Sequence, residues 1–294
     1  MPAGRYAPSP TGDLHLGNLR TAVLAWLWAR RSGRDFLVRV DDLDPGRSRQ
    51  HFEQTQLADL AALGVDWDGP IVRQSERTDV YAAALAELTA RGLTYECFCT
   101  RREIAAAASA PHASDGPPGA YPGTCRDLTE AERVQRRRER PAAIRLRTEV
   151  VSWTVTDEVH GEVTGPVDDL VLRRTDGVHA YNLATVVDDA AQGVDQVVRG
   201  DDLLSSAPRQ AHLAHVLGLP SPTWVHVPLA VNFAGARLAK RDGAVTLRDL
   251  PVEWAFALIV GSLGLDGAAD LAEVAVRFDP ALMPREPWVV DPDS

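Results

Sequence analysis

His15, Gly17 and Asn18 open an apolar run, "HLGNLRTAVLAWLW", directly behind a turn that contains Pro8, Pro10 and Gly12. The prolines fix the backbone at their own positions, and the glycine accepts angles that other residues avoid. A helix beginning here points its unpaired amides and the positive end of its dipole back at the turn. A His and an Asn at that place can donate to phosphate oxygens, and Gly17 lets a flat ring or a sugar approach the backbone. A lone "HLG" also fits an ordinary helix start behind a proline-shaped loop.

Three cysteines are present, all between Cys97 and Cys125. An odd, clustered count argues against a disulfide framework and for a metal site. Cys97 and Cys99 are one residue apart and can both face an ion, and a turn can bring Cys125 across to them.

These residues need elements to hold them. Residues 3–7 read as a strand, 16–31 as a helix, and 35–41 as a second strand by their alternation. Helices are expected near 48–63 and 77–91, and a strand or extended turn at 94–98. That order predicts a parallel sheet with crossover helices, and ligands then bind at the C-terminal edge of its strands. Residues 103–120 are rich in Ala, Pro, Ser and Gly and read as a surface loop or short helix. The runs AIRLR, VSWTV and DLVLRR within 142–180 read as antiparallel strands inserted between two halves of the main sheet. A strand at 194–199, a helix at 206–217, a strand at 224–230 and helices at 252–263 and 269–277 complete the pattern. The Arg-rich run 133–141 is interleaved with acids and reads as a solvated helix face, with contact to RNA phosphates as the alternative.

The 294 residues are enough for a sizeable core in one large domain or two ordinary ones. A net charge of −10 disfavours a protein that coats itself with nucleic acid, so an RNA partner must meet a local basic face. No apolar run has the length of a bilayer span, and the first residues lack the pattern of a secretory signal. A cytoplasmic soluble protein is expected, with no membrane partner.

The string "APSPTGDLHLGNLRTA" resembles the signature of class I aminoacyl-tRNA synthetases in the form carried by the glutamyl group. In that family a His-x-Gly-His tetrapeptide grips ATP. Here its last position is Asn18, which can still donate a hydrogen bond. "ARLAKRDGAV" resembles the family's second ATP motif, Lys-Met-Ser-Lys-Ser, with Lys240 as the retained second lysine and Leu238, Ala239 and Arg241 as departures. An ammonium there stabilises charge on the phosphate oxygens and departing pyrophosphate more in the transition state than before it. The resemblance thus makes His15, Asn18 and Lys240 the catalytic set, and adds Gly17 to the ATP-binding residues.

The same resemblance implies the amino acid. Arg5, Ala7 and Ser9 fall where the family faces its substrate. "LVRVDDLDPGR" resembles the family's Arg-Ile-Glu-Asp-x-Asp string, with Asp41 in place of a Glu that holds the substrate ammonium. The shorter arm implies contact through water. "AYNLATVVDDAAQGVDQVVRGDDLL" places Tyr181 and Arg199 on glutamate-contacting positions. Two arginines, a phenol and a carboxylate complement glutamate, and a buried guanidinium rejects glutamine. Which arginine takes which carboxylate stays open at this point.

Among glutamyl-type proteins, the spacing Cys-x-Cys…Tyr-x-x-x-Cys resembles the truncated branch that carries one structural zinc. It implies Cys97, Cys99, Tyr121 and Cys125 as ligands, with His112 or a water as rivals for the fourth position. This branch lacks an anticodon-binding domain. It activates L-glutamate with ATP and magnesium, without tRNA, and passes the glutamyl group to queuosine in the anticodon loop of tRNA(Asp). The implied fold is a class I, Rossmann-like α/β catalytic domain in two halves, 1–92 and 181–235. A zinc-bearing insertion at 93–180 lies between them, and the Lys240 loop with C-terminal helices occupies 236–294. A monomer is expected. The alternatives are a shortened tRNA(Glu)-charging enzyme, a non-catalytic paralogue that binds glutamate or its adenylate, and a small-molecule adenylyltransferase, which the glutamate-matching strings disfavour.

Overall fold

A computed structural model of the chain describes residues 1–108, 121–236, 238 and 245–290. The expectations for Lys240 and for His112 fall outside these residues.

The first half runs β1 (Ala3–Tyr6), α1 (Leu16–Arg31), β2 (Asp35–Val40), α2 (Gln50–Ala62), β3 (Val72–Arg73) and α3 (Thr78–Ala90). The middle carries β4 (Thr94–Cys97), α4 (Arg101–Ala108), α5 (Glu130–Glu139), β5 (Ala143–Leu146), β6 (Ser152–Asp157), β7 (Gly161–Pro166) and β8 (Val171–Arg173). The remainder is α6 (Tyr181–Ala191), β9 (Val194–Gly200), α7 (Ala207–Val216), β10 (Thr223–Val227), β11 (Ala230–Val231), α8 (Val252–Gly261), α9 (Leu271–Arg277) and β12 (Trp288–Val289).

Seven strands form the main sheet in the order β3-β2-β1-β9-β10-β6-β7. All neighbours pair in parallel except the β6–β7 hairpin. The early strands lie on one side of β1 and β9 lies on the other, so the topological switch point falls between β1 and β9. Part of the 142–180 stretch extends the main sheet, because β6 pairs with β10. The separate antiparallel sheet is β4-β5-β8. Sequence alone did not separate these, since both groups read as short alternating runs.

Side chains alternate across each strand, and this divides the core. Tyr6, Phe36, Val38, Val198, Val225 and Val227 pack under α1, α8 and α9. Ala3, Val197 and Trp224 face the other way, against α7. On that second face, near the strand ends, apolar residues give way to Arg5, Arg39, Arg199 and His226, all buried. The Arg-rich run forms α5, which buries no residue; Arg137 pairs there with Glu96 and Glu130.

Candidate active site and cysteine cluster

A cleft of about 810 Å³ lies at the switch point, along the C-terminal ends of β1 and β9. Arg5, Ala7, Ser9, His15, Gly17, Asn18, Asp41, Tyr181 and Arg199 all line it. Every site residue expected for glutamate or ATP that lies within the described residues therefore borders one cavity. Leu238, from the segment leading to Lys240, lines it as well.

His15 is the N-cap of α1. Its Nδ1 accepts from the Asn18 amide at 3.3 Å, and the Asn18 side-chain oxygen accepts from the His15 amide at 3.4 Å. This reciprocal box satisfies two orphan donors of the helix start. Because Nδ1 accepts, the ring proton is on Nε2, and the Asn18 amide keeps its NH2 group as a donor. Gly17 is also required by packing. A Cβ there would stand 2.8 Å from Ala230 Cβ and 3.1 Å from the His15 ring. The helix start is tied to the far side of the Lys240 segment by a bridge between His15 and Thr246 and by Leu16 N donating to Val245 O at 2.9 Å.

The turn before α1 is held from α2. Buried Gln56 donates from Nε2 to Gly12 O at 2.7 Å and to Ser9 O at 3.1 Å. No sequence signal marked Gln56, because a glutamine on a mixed helix face reads as surface.

Arg5 and Asp41 belong to a buried ion network. Arg5 meets Asp189 at 3.2 and 3.3 Å, and Arg39 donates to Asp189 at 2.6 Å and to Asp41 at 2.8 Å. Asp188, beside them on α6, accepts from Gln74, Arg77 and Tyr81. Burial works to raise the Asp189 carboxyl, but Arg5 and Arg39 hold it below its usual value. For Asp41 burial prevails over Arg39 and leaves the carboxyl raised. Arg39, Asp188 and Asp189 were not singled out from sequence. The signals were there: an Arg at an interior position of an apolar strand, and two consecutive acids inside an apolar helix.

Arg199 is different. Its Nε donates to His226 Nε2 at 2.9 Å, Nη1 to Gln210 Oε1 at 2.7 Å and Nη2 to Leu203 O at 3.2 Å. All three acceptors are uncharged. The guanidinium lies 4.8 Å from the centre of the Trp224 ring, with Tyr181 beside it. Burial lowers its pKa, and the neighbouring Tyr181 opposes that shift. Arg5 thus bonds a carboxylate, whereas the acceptors of Arg199 are neutral and Asp189 acts on it only through space. A buried cation with no bonded carboxylate at the edge of a cleft favours an anionic ligand.

The three cysteines expected as metal ligands lie together. The Sγ atoms of Cys97, Cys99 and Cys125 lie within 4.8 Å of one another. Cys99 Sγ is 3.5 Å from Cys125 Sγ and 3.6 Å from the Tyr121 hydroxyl. The Tyr121 oxygen accepts from the Cys125 amide at 2.8 Å, and the Arg145 guanidinium sits 3.7 Å from the centre of its ring. Burial pushes the Cys99 thiol up to about 11. Three sulfurs and a phenol around one point have the donor chemistry of a tetrahedral thiolate-rich metal site, and the three cysteines could hold an ion. β4, α4 and the segment before α5 converge there, so an ion would pin the small sheet.

Residues 3–255 match the family model of the catalytic domain of class I tRNA synthetases (E and Q). The glutamyl-Q tRNA(Asp) synthetase of Nocardia farcinica is 63% identical, over 98% of this chain and 93% of that protein. The protein of the same name from Cutibacterium acnes is 52% identical, over 97% of this chain and 82% of its own length. A crystal structure of a glutamate tRNA ligase from Elizabethkingia meningosepticum, in complex with its amino acid, superposes with a TM-score of 0.83. It is 25% identical and is matched over 99% of this chain and 67% of that one.

Proposed function

This chain belongs to the class I tRNA synthetases of the E and Q group, and from that membership we propose how its cleft works. The enzyme activates L-glutamate with ATP and transfers the glutamyl group to queuosine in the anticodon loop of tRNA(Asp); the reading is supported by relatives that carry the name glutamyl-Q tRNA(Asp) synthetase. The observation that carries the reading is that Arg5 from β1 and Arg199 from β9 border one cavity with His15 and Asn18.

Glutamate lies between Arg5, Tyr181 and Arg199, with its ammonium toward Asp41, directly or through water. Ala7 and Ser9 form the turn beneath it. ATP lies across Gly17, with its phosphates toward His15 Nε2–H, the Asn18 amide and the positive end of α1. In the first step a carboxylate oxygen of the glutamate α-carboxylate attacks the α-phosphorus, and pyrophosphate leaves. Lys240 stabilises the negative charge that develops on the phosphate oxygens, and magnesium, bound with ATP, would supply further charge compensation there. In the second step a queuosine hydroxyl attacks the glutamyl carbonyl and AMP departs. No side chain serves as a nucleophile. The protein positions reactants and stabilises charge. Cys97, Cys99, Cys125 and Tyr121 would hold a structural zinc, which would pin the small sheet inside the insertion. The protein acts as a cytoplasmic monomer.

Glutamate-dependent exchange of pyrophosphate into ATP, run with and without tRNA, tests the first step. Exchange with glutamate alone is expected. Transfer of labelled glutamate to queuosine-bearing tRNA(Asp), and not to the 3′ end of tRNA(Glu), tests the second. Esterification of tRNA(Glu) at its 3′ end overturns the proposed acceptor.

A further inference from the structure

Arg199 ends a buried chain of three residues, and the substrate-binding reading uses neither of the other two, His226 and Asp157. A guanidinium only donates hydrogen bonds. His226 Nε2, 2.9 Å from Arg199 Nε, must therefore present a lone pair. The one proton of the neutral ring is then on Nδ1, 2.7 Å from Asp157 Oδ2. Asp157 is itself held by four donors. Val159 and His160 amides meet Oδ1, and the His226 amide and ring meet Oδ2. His226 and Asp157 side chains are fully buried. The register of β9 against β10 sets His226 directly beside Arg199, on the same face of the sheet.

We propose that Asp157 and His226 are positioning residues for amino-acid recognition: Asp157 selects the Nδ1–H tautomer, and the bare Nε2 of His226 aims the Arg199 guanidinium at a substrate carboxylate without neutralising it. The proposal rests on Arg199 binding glutamate. A carboxylate at position 226 would also orient Arg199, but it would cancel the charge that attracts the substrate. An imidazolium would set two donors against each other. A neutral imidazole of fixed tautomer avoids both. The surroundings agree. Burial lowers the His226 pKa against the pull of Asp157, and the Arg199 charge adds to the lowering. The other titratable groups nearby are His160, whose Nε2 is 3.2 Å from the His226 carbonyl, and Asp201.

Nitrogen-15 NMR of the histidine rings in the full chain at neutral pH reads the tautomer directly, with His226 assigned by through-bond correlation. A protonated Nδ1 and a bare Nε2 are expected. An Nε2–H ring or an imidazolium overturns the proposal. Because no substrate is involved, this result is separate from failure of the glutamate reading, which absence of pyrophosphate exchange would report.

Two variants test the aiming role. His226→Gln sets a carbonyl oxygen near the Nε2 position and keeps an acceptor for Arg199. His226→Asn keeps a donor for Asp157 and loses that acceptor. In pyrophosphate exchange, His226→Asn is expected to raise the KM for glutamate about tenfold with the KM for ATP within about twofold, and His226→Gln to restore most of the loss. Equal effects in the two variants, or a parallel rise in both KM values, make His226 structural only and overturn the proposal.

Discussion

Arg5 and Arg199 are the same residue type on neighbouring strands, yet their partners give them different tasks. Arg5 is matched by Asp189, whereas Arg199 meets only neutral acceptors. Removing a carboxylate from the buried network strands its cations, which costs about 3–5 kcal/mol. Asp189→Asn is therefore expected to lower stability by that order in urea denaturation. Arg199→Gln, which removes a charge with no carboxylate bonded to it, is expected to change stability less and to raise the glutamate KM most. The acid limb follows from the same groups. Asp189 and Asp157 are both held below the usual carboxylate range: burial would raise each, but the arginines in one case and His226 in the other prevail. A depressed group stabilises the fold above its unfolded value of about 3.9 and loses that contribution as pH falls through its folded value. Stability is thus expected to drop on acidification below that value, and less steeply in Asp157→Asn. Asp41, being raised, works in the opposite direction.

At the scale of elements, α1 was legible almost to the residue: 16–31 expected, Leu16–Arg31 observed. Its apolar run was long, and its cap stood in the sequence as His15 and Asn18. The turn before it was legible as a turn, but Gln56, which holds it from α2, was not. Gln56→Ala should lose two hydrogen bonds, a buried one to the Gly12 carbonyl and a part-buried one to the Ser9 carbonyl, about 1–3 kcal/mol, and should raise the KM for ATP as the turn loosens. The cysteine cluster was legible because thiol spacing is local on both of its sides. Metal analysis is expected to find one zinc per chain. Chelation, or acidification that protonates the thiolates, should release it and lower the melting temperature. Cys125→Ser should have the same effect on stability without chelator. A melting curve unchanged by loss of metal would count against a structural role.

For the whole molecule, the decisive fact is that one cavity takes walls from chain segments far apart in sequence. Position by position, the sequence supplied the residue types: a His and Asn at a helix start, arginines in strands, a thiol cluster. It also supplied the alternation of strand and helix that makes a parallel sheet, since hydrophobic periodicity and caps are local properties. The strings around His15, Tyr181 and Arg199 supplied the family by resemblance. Burial, partners and register were not in the sequence, because they depend on which strand lies beside which. The order β1-β9-β10-β6 sets Arg5, Arg199, His226 and Asp157 along one row of strands; the two halves meet at β1 and β9, and the β6–β7 hairpin adds at the edge beside β10. Only that assembly decided that Arg5 bonds a carboxylate, that Arg199 does not, and that His226, from a neighbouring strand, lies against it. An isolated side chain has a type. Its charge state and its aim come from the neighbours that the tertiary fold brings within about 3 Å.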